Sequence, residues 1–145
     1  MYQIQRKNKI VEQLQLVHAN GDIACTIDVD INVDQIGAKI ERAAELVGIA
    51  QNAIVKEPNS DDAALSYTQA VISLFIAIFG EENCDKIVEF YDGNQTVSKK
   101  EKAGIMTEML VDIFPFINSE ILPKVREASA ERKKQLLEMA KAVNK

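Results

Sequence analysis

Tryptophan is absent, histidine occurs once, cysteine twice and proline three times among 145 residues. A single histidine excludes a multi-histidine metal site, and a Cys-Cys-His site would have to use Cys25, Cys84 and His18 together. The cysteines stand 59 positions apart with no CxxC partner, so they read as reduced thiols of a cytoplasmic protein. Neither a GxGxxG nor a GxxxxGK phosphate loop occurs, and Ser66, Ser73 and Ser119 lack the flanking glycines of a nucleophile elbow. The most apolar stretch, Ala70 to Phe79, is interrupted by Ser73 and spans ten residues, against about 20 for a membrane crossing. No apolar run follows the basic residues near the start, so no export signal is expected there.

What is present is a globular composition, 47% hydrophobic and 27% charged, which excludes a chain disordered throughout. The formal charge is −5, a poor match for a nucleic-acid backbone. Neither nucleic acid nor a membrane is expected as a partner.

The clearest local signal is a β-hairpin over residues 10–18 and 23–31, with Asn20-Gly21 as the centre of a type I′ turn. Counting outward from that turn sets His18 opposite Ile23, Leu16 opposite Cys25, Glu12 opposite Val29 and Ile10 opposite Ile31. Alternation then gives one face Ile10, Leu14, Leu16, Ile23, Cys25, Ile27, Val29 and Ile31. The other face carries Gln13, Gln15, Thr26, Asp28 and Asp30. Both strands agree on the apolar side, which supports the register. A lone hairpin is marginal in water, so helices or another chain must cover that side.

From Val33 the period becomes helical. Ile36, Ile40, Ala43, Val47, Ala50 and Ile54 form one stripe, with Asn32 or Asp34 as the cap and Pro58 as the stop. Ser60-Asp61-Asp62 opens a second helix, apolar on all sides in its latter half and therefore expected at the centre of the core, with Gly80 as its C-cap. A short helix over 82–91 follows. The polar stretch 92–100 reads as a mobile loop, closed by a capping box at Ser98–Glu101. A fourth helix presents Ile105, Met106, Met109, Leu110 and Ile113, and Pro115 is expected to break or kink it near Asp112. A fifth runs from about Ser119 to Val143. Residues 124–145 hold seven basic and three acidic residues, net +4, against ten and nineteen, net −9, in 1–123. This suggests one domain over 1–123 and a basic helical tail over 124–145.

Three groups are candidates for chemistry. His18 is the only residue of a type that ordinarily changes charge near neutral pH, and it stands beside the hairpin turn, where a surface role is the simpler reading. Asp28 and Asp30 share a strand face and could hold a divalent cation with Glu12 or His18, but they lack the glycine and closing glutamate of a calcium loop. Arg132, Lys133 and Lys134 form the best basic cluster. No aromatic residue is interleaved with them, so they suit an acidic protein surface better than stacked bases.

Several segments carry a family likeness: Ile31–Ile36, Tyr67–Phe75, Ile78–Glu82 with Lys86–Tyr91, and Asp112–Ile117 with Ile121–Lys124. In this order the chain resembles small proteins encoded by tailed phages and prophages of Gram-positive bacteria, over roughly residues 10–130. The resemblance implies a function near that of a tail assembly chaperone, with a tape-measure or tail protein as partner. The matching residues are packing and turn positions, so none brings a functional role with it.

The expectation is therefore an α+β fold, mostly α, with an N-terminal β-hairpin packed on about five helices. The expected function is non-enzymatic binding of other phage proteins, without a cofactor. The hairpin edges beside Gln13, Gln15, Asp28 and Asp30 and the cluster Arg132, Lys133 and Lys134 are the candidate binding surfaces, and pairing of hairpins between copies is a further possibility. A small-ligand or divalent-metal domain using the Asp28/Asp30 face is the alternative.

Overall fold

The structure, a computed structural model, describes residues 1–4, 8–92 and 99–143, the stretch 99–107 by its backbone alone. The capping box expected at Ser98–Glu101, the polar stretch 93–98 and the side chains of Ile105 and Met106 lie outside the described residues.

The architecture is α+β and mostly helical. Strands β1 (Lys9–Val17) and β2 (Ile23–Asn32) form an antiparallel hairpin. Helices α1 (Val33–Lys56), α2 (Asp61–Phe79), α3 (Glu81–Asp92), α4 (Lys99–Phe116) and α5 (Leu122–Val143) follow. A π-helical turn, Ile117–Ile121, joins α4 to α5, so the helices make four rods rather than five.

The hairpin register is the expected one from Leu16↔Cys25 outward to Ile10↔Ile31. The loop is not. His18 O accepts from the Gly21 N–H at 2.9 Å, and the His18 N–H donates to Asp22 O at 2.9 Å, so the turn spans His18–Gly21. Gly21, at φ +93°, occupies the left-handed position that closes a three-residue loop. This turn pairs Val17 with Ile23, one residue out of step with Leu16↔Cys25. A bulge with Ala24 as the extra residue absorbs the difference. Without it, the mismatch would turn the buried side chains of one strand outward. The bulge leaves Ile23 exposed, which corrects its expected place on the apolar face.

Helix boundaries follow local chemistry. Ser60 Oγ accepts from the Ala63 N–H at 3.2 Å and caps α2. Gly80, at φ +82°, ends it, its N–H donating to Ile76 O. Asn32 stands at the N-cap of α1 without a side-chain hydrogen bond. Pro115 does not break the fourth helix. Ile113, Ile117, Ile121, Leu122 and Val125 are all buried along this rod and hold it on the core. The π turn between Pro115 and Pro123, where the Leu122 N–H reaches back to Ile117 O, widens the helix between the two prolines.

The core lies between the hairpin and the rods, with Ile27, Ile31, Ile40, Leu74, Ile87 and Ile117 fully enclosed. Phe75 and Phe79 of α2 pack edge to face, centroids 5.8 Å apart, and Phe79 stacks on Phe116. Met109 is buried too. Only one side of α2 is enclosed, contrary to its expected central place: Leu65, Ile72 and Ile76 remain exposed. Among the described residues α2 is the one helix long and apolar enough to cross a membrane. Its packing on α1 and on the hairpin is compatible with a soluble protein.

The expected boundary between residues 123 and 124 falls just inside α5. Val125 is 0% exposed and Ala128 packs against the core, whereas residues 130–143 are exposed.

Candidate functional site

The hairpin presents three surfaces of different character. Its inner face is covered by the rods. Its outer face is open and carries Val11, Gln13, Gln15 and Val17 on β1 beside Thr26, Asp28 and Asp30 on β2. The third surface is the edge of β1, and its state follows from the ladder.

The Val33 N–H donates to Asn8 O at 2.8 Å, which makes Asn8 and Val33 a hydrogen-bonded pair. Pairs of this kind recur at every second residue. Ile10, Glu12, Leu14 and Leu16 therefore spend their backbone groups on β2, and Val11, Gln13 and Gln15 aim theirs away from it. Among the described residues no hydrogen bond reaches those outward groups. The β2 edge differs, because Asp28 O accepts from Asn83 Nδ2 of α3 at 3.3 Å, and Asn83 also donates to Phe79 O at 3.0 Å. The β2 edge is thus engaged by a helix at Asp28, while the β1 edge is a row of open donors and acceptors.

The acidic pair is locally partnered. Gln13 Nε2 donates to Asp28 Oδ1 at 2.9 Å, and Lys9 Nζ lies 3.2 Å from Asp30 Oδ2. Glu12, offered at the sequence level as a third cation ligand, belongs to the opposite face of the sheet, where its carboxylate pairs with Lys124 of α5. That hydrogen bond and charge hold the Lys124 ammonium above its ordinary pKa. His18 lies beyond the bulge with its ring 5.6 Å from that of Phe90. The structure therefore does not bring Asp28, Asp30, Glu12 and His18 together. No group of three His, Cys, Asp or Glu positioned for a metal occurs among the described residues.

Two open troughs follow β1 end to end. The first, of about 580 Å³, runs along Asn8–Glu12 under α5 and is lined by Lys124, Glu127 and Glu131. The second, of about 430 Å³, runs along Leu14–Ala19 and is lined by Phe90, Tyr91, Glu108 and Asp112. Each has room for side chains and not merely for a single water. Tyr91 Oη donates to Asp112 Oδ2 at 2.9 Å. Burial, that bond and the Asp112 and Glu108 charges raise the phenol well above its ordinary pKa. Cys84 is pushed up to about 11, first by burial and then by Asp85 and Glu81, and stays a thiol at neutral pH.

The basic cluster is divided by its contacts. Arg132 is held by Asp34, at the start of α1, through Nε–Oδ1 2.9 Å and Nη2–Oδ2 2.7 Å, and Nη1 donates to Gln135 Oε1 at 2.8 Å. Lys133 and Lys134, the next two residues of α5, are exposed. The acidic troughs beside β1 were missed at the sequence level. Their carboxylates come from position 12 and from the helical i,i+4 pairs 108/112 and 127/131, and no local pattern connects those pairs to β1.

No family model, no curated protein and no solved structure matches this chain.

Proposed function

We propose that this chain is a non-enzymatic protein-binding protein that acts by accepting a strand from its partner along the edge of β1. The observation that carries the reading is the unpaired row of backbone groups at Val11, Gln13 and Gln15. Strand addition satisfies such a row and is a recurring mode of peptide recognition. Edges that must stay alone are usually blunted by proline, by inward charge or by a covering helix. β1 contains no proline, its inward charge Glu12 is paired with Lys124, and Val11 is 65% exposed beside the edge.

The wider setting we propose is assembly of a phage or prophage tail in the host cytoplasm, as a chaperone or a component of the tail module. This rests on the sequence resemblance. The partner is then a tape-measure or tail protein encoded nearby. The test is co-expression of the tagged chain with each such protein from the same genome. Gln13→Pro and Gln15→Pro each remove one outward donor at positions where an edge strand tolerates proline. Copurification with the wild type, lost in the proline variants while circular dichroism stays unchanged, is the expected result. A partner retained by both folded variants rejects the edge. No copurification with any tail protein rejects the phage assignment.

A further inference from the structure

We infer that the segment accepted by the β1 edge is cationic, an extended stretch of another protein with Lys or Arg at alternate positions. This inference rests on the strand-addition reading above and names the chemistry of the partner. A strand laid along β1 would point alternate side chains to the outer and inner sides of the sheet. On the outer side its neighbours would be Lys9, whose ammonium is met by Asp30, and the uncharged Val11, Gln13 and Gln15. On the inner side its side chains would lie over the two troughs. The first trough carries the carboxylates of Glu12, Glu127 and Glu131 against the ammonium of Lys124, and the second carries Glu108 and Asp112. The excess along the whole edge is negative. Lys or Arg would place ammonium or guanidinium groups among these carboxylates and lay their methylene stems along Leu14 and Leu16. Charge complementarity of this kind selects partners and speeds their encounter.

The same geometry disfavours a second copy as the occupant. The inward positions of another β1 are Ile10, Glu12, Leu14 and Leu16. They offer no cation and would bring a further carboxylate to an acidic trough.

The experiment uses fluorescein-labelled seven-residue peptides that alternate lysine with valine, or glutamate with valine, and reads binding to the full chain by anisotropy. The expected result is binding of the lysine peptide at least about tenfold tighter than the glutamate peptide at low salt, weakening as salt rises. The double variant Glu127→Lys, Glu131→Lys, both exposed on α5, should lose most of that preference. Amide exchange gives the second readout: saturation with the lysine peptide should slow Val11, Gln13 and Gln15 together. Equal affinity for the two peptides overturns the cationic partner and leaves the edge reading standing. Lysine-peptide binding that leaves those three amides unprotected, or that survives Gln13→Pro, overturns the edge itself. A wild-type dimer in light scattering that Gln13→Pro converts to monomer assigns the edge to a second copy and overturns the inference.

Discussion

Arg132 on α5 grips Asp34 at the start of α1 with two nitrogens, Nε on Oδ1 and Nη2 on Oδ2, across 98 positions of sequence. Asp34 also accepts from Asn8 Nδ2 at 3.2 Å, so one carboxylate ties together the approach to β1, the first turn of α1 and the exposed half of α5. The pair and its charge hold the Arg132 guanidinium above its ordinary pKa. Arg132→Lys keeps the charge and loses the planar fork. The expected outcome is faster amide exchange in α5 beyond Ser129, with a small fall in melting temperature because both side chains are partly exposed. Unchanged exchange in that segment would show that the contact orders nothing.

The tail beyond that contact should be dispensable for folding. Residues 136–143 are exposed, including Leu136, Leu137 and Met139. Nearer its start, α5 meets α1 closely: a Cβ built on Gly37 would stand 3.3 Å from Ser129 Oγ. A chain shortened to 1–135 keeps Ala128, Ser129, Arg132 and Gln135 and should melt as the full chain does. A chain ending at Glu127 loses all four and should fold with a lower denaturant midpoint. Equal midpoints for the three lengths would show that packing on α5 ends at Val125.

Phe75→Ala should cost about 3–5 kcal/mol, because the ring is 3% exposed and packs edge to face on Phe79. Leu65→Ala, on the open side of the same helix, should cost well under half as much. Denaturant melts of the two variants check the difference. Similar losses would mean that α2 is covered on both sides in solution.

That contrast marks a limit of periodicity. The run from Ala70 to Phe79 is apolar on all sides, so its pattern names a helix without naming which side is covered. The hairpin pairing was legible because two strands had to agree on one apolar face. Its turn was not, since Asn-Gly serves both a two-residue loop and a three-residue loop with Gly last. Pro115 announced a break that buried neighbours on the same rod override. Gln13, Gln15, Asp28 and Asp30 were picked out together with both hairpin edges beside them. Which edge stays open depends on where α3 and α5 fall, and the acidic troughs join carboxylates up to 119 positions apart, Glu12 and Glu131. Contacts of that range leave no trace in a single sequence.

Alkaline pH should expose Cys84. Its thiol titrates at about 11 in the folded chain against an ordinary value of 9.0, chiefly through burial. A raised folded value means that the native state holds the proton more tightly. Its contribution is therefore fully present below about 9 and is lost as pH rises toward 11. Cys84→Ala removes the group. The expected result is a flatter fall of melting temperature between those two values than in the wild type, the two chains being compared from the same neutral baseline. Parallel curves would mean that Cys84 ionises in the folded protein as freely as in the unfolded one.

Gly21 and Asn20 separate the two forms of the hairpin loop. In the observed turn only Gly21 needs a left-handed backbone, and nothing lies within 4 Å of a Cβ built there. Gly21→Ala is therefore a test of backbone strain alone and should cost roughly 1–2 kcal/mol. Gly21→Asn should cost less, since asparagine visits that region more readily. Asn20 acts differently. Its Oδ1 accepts from the Asp22 N–H at 3.0 Å and its Nδ2 donates to Asp22 Oδ2 at 3.1 Å, and Asn20→Ala removes only these two exposed bonds, together about 0.5–1 kcal/mol because water replaces them. A type I′ turn would put both central residues in the left-handed region, and alanine at Asn20 would then suffer the same strain as at Gly21. Denaturant melts of the two alanine variants decide the matter. A larger loss at Gly21 supports the three-residue loop, and with it the bulge at Ala24 that keeps Leu16 opposite Cys25. Equal losses would restore the two-residue turn, remove the need for the bulge, and return Ile23 to the covered face.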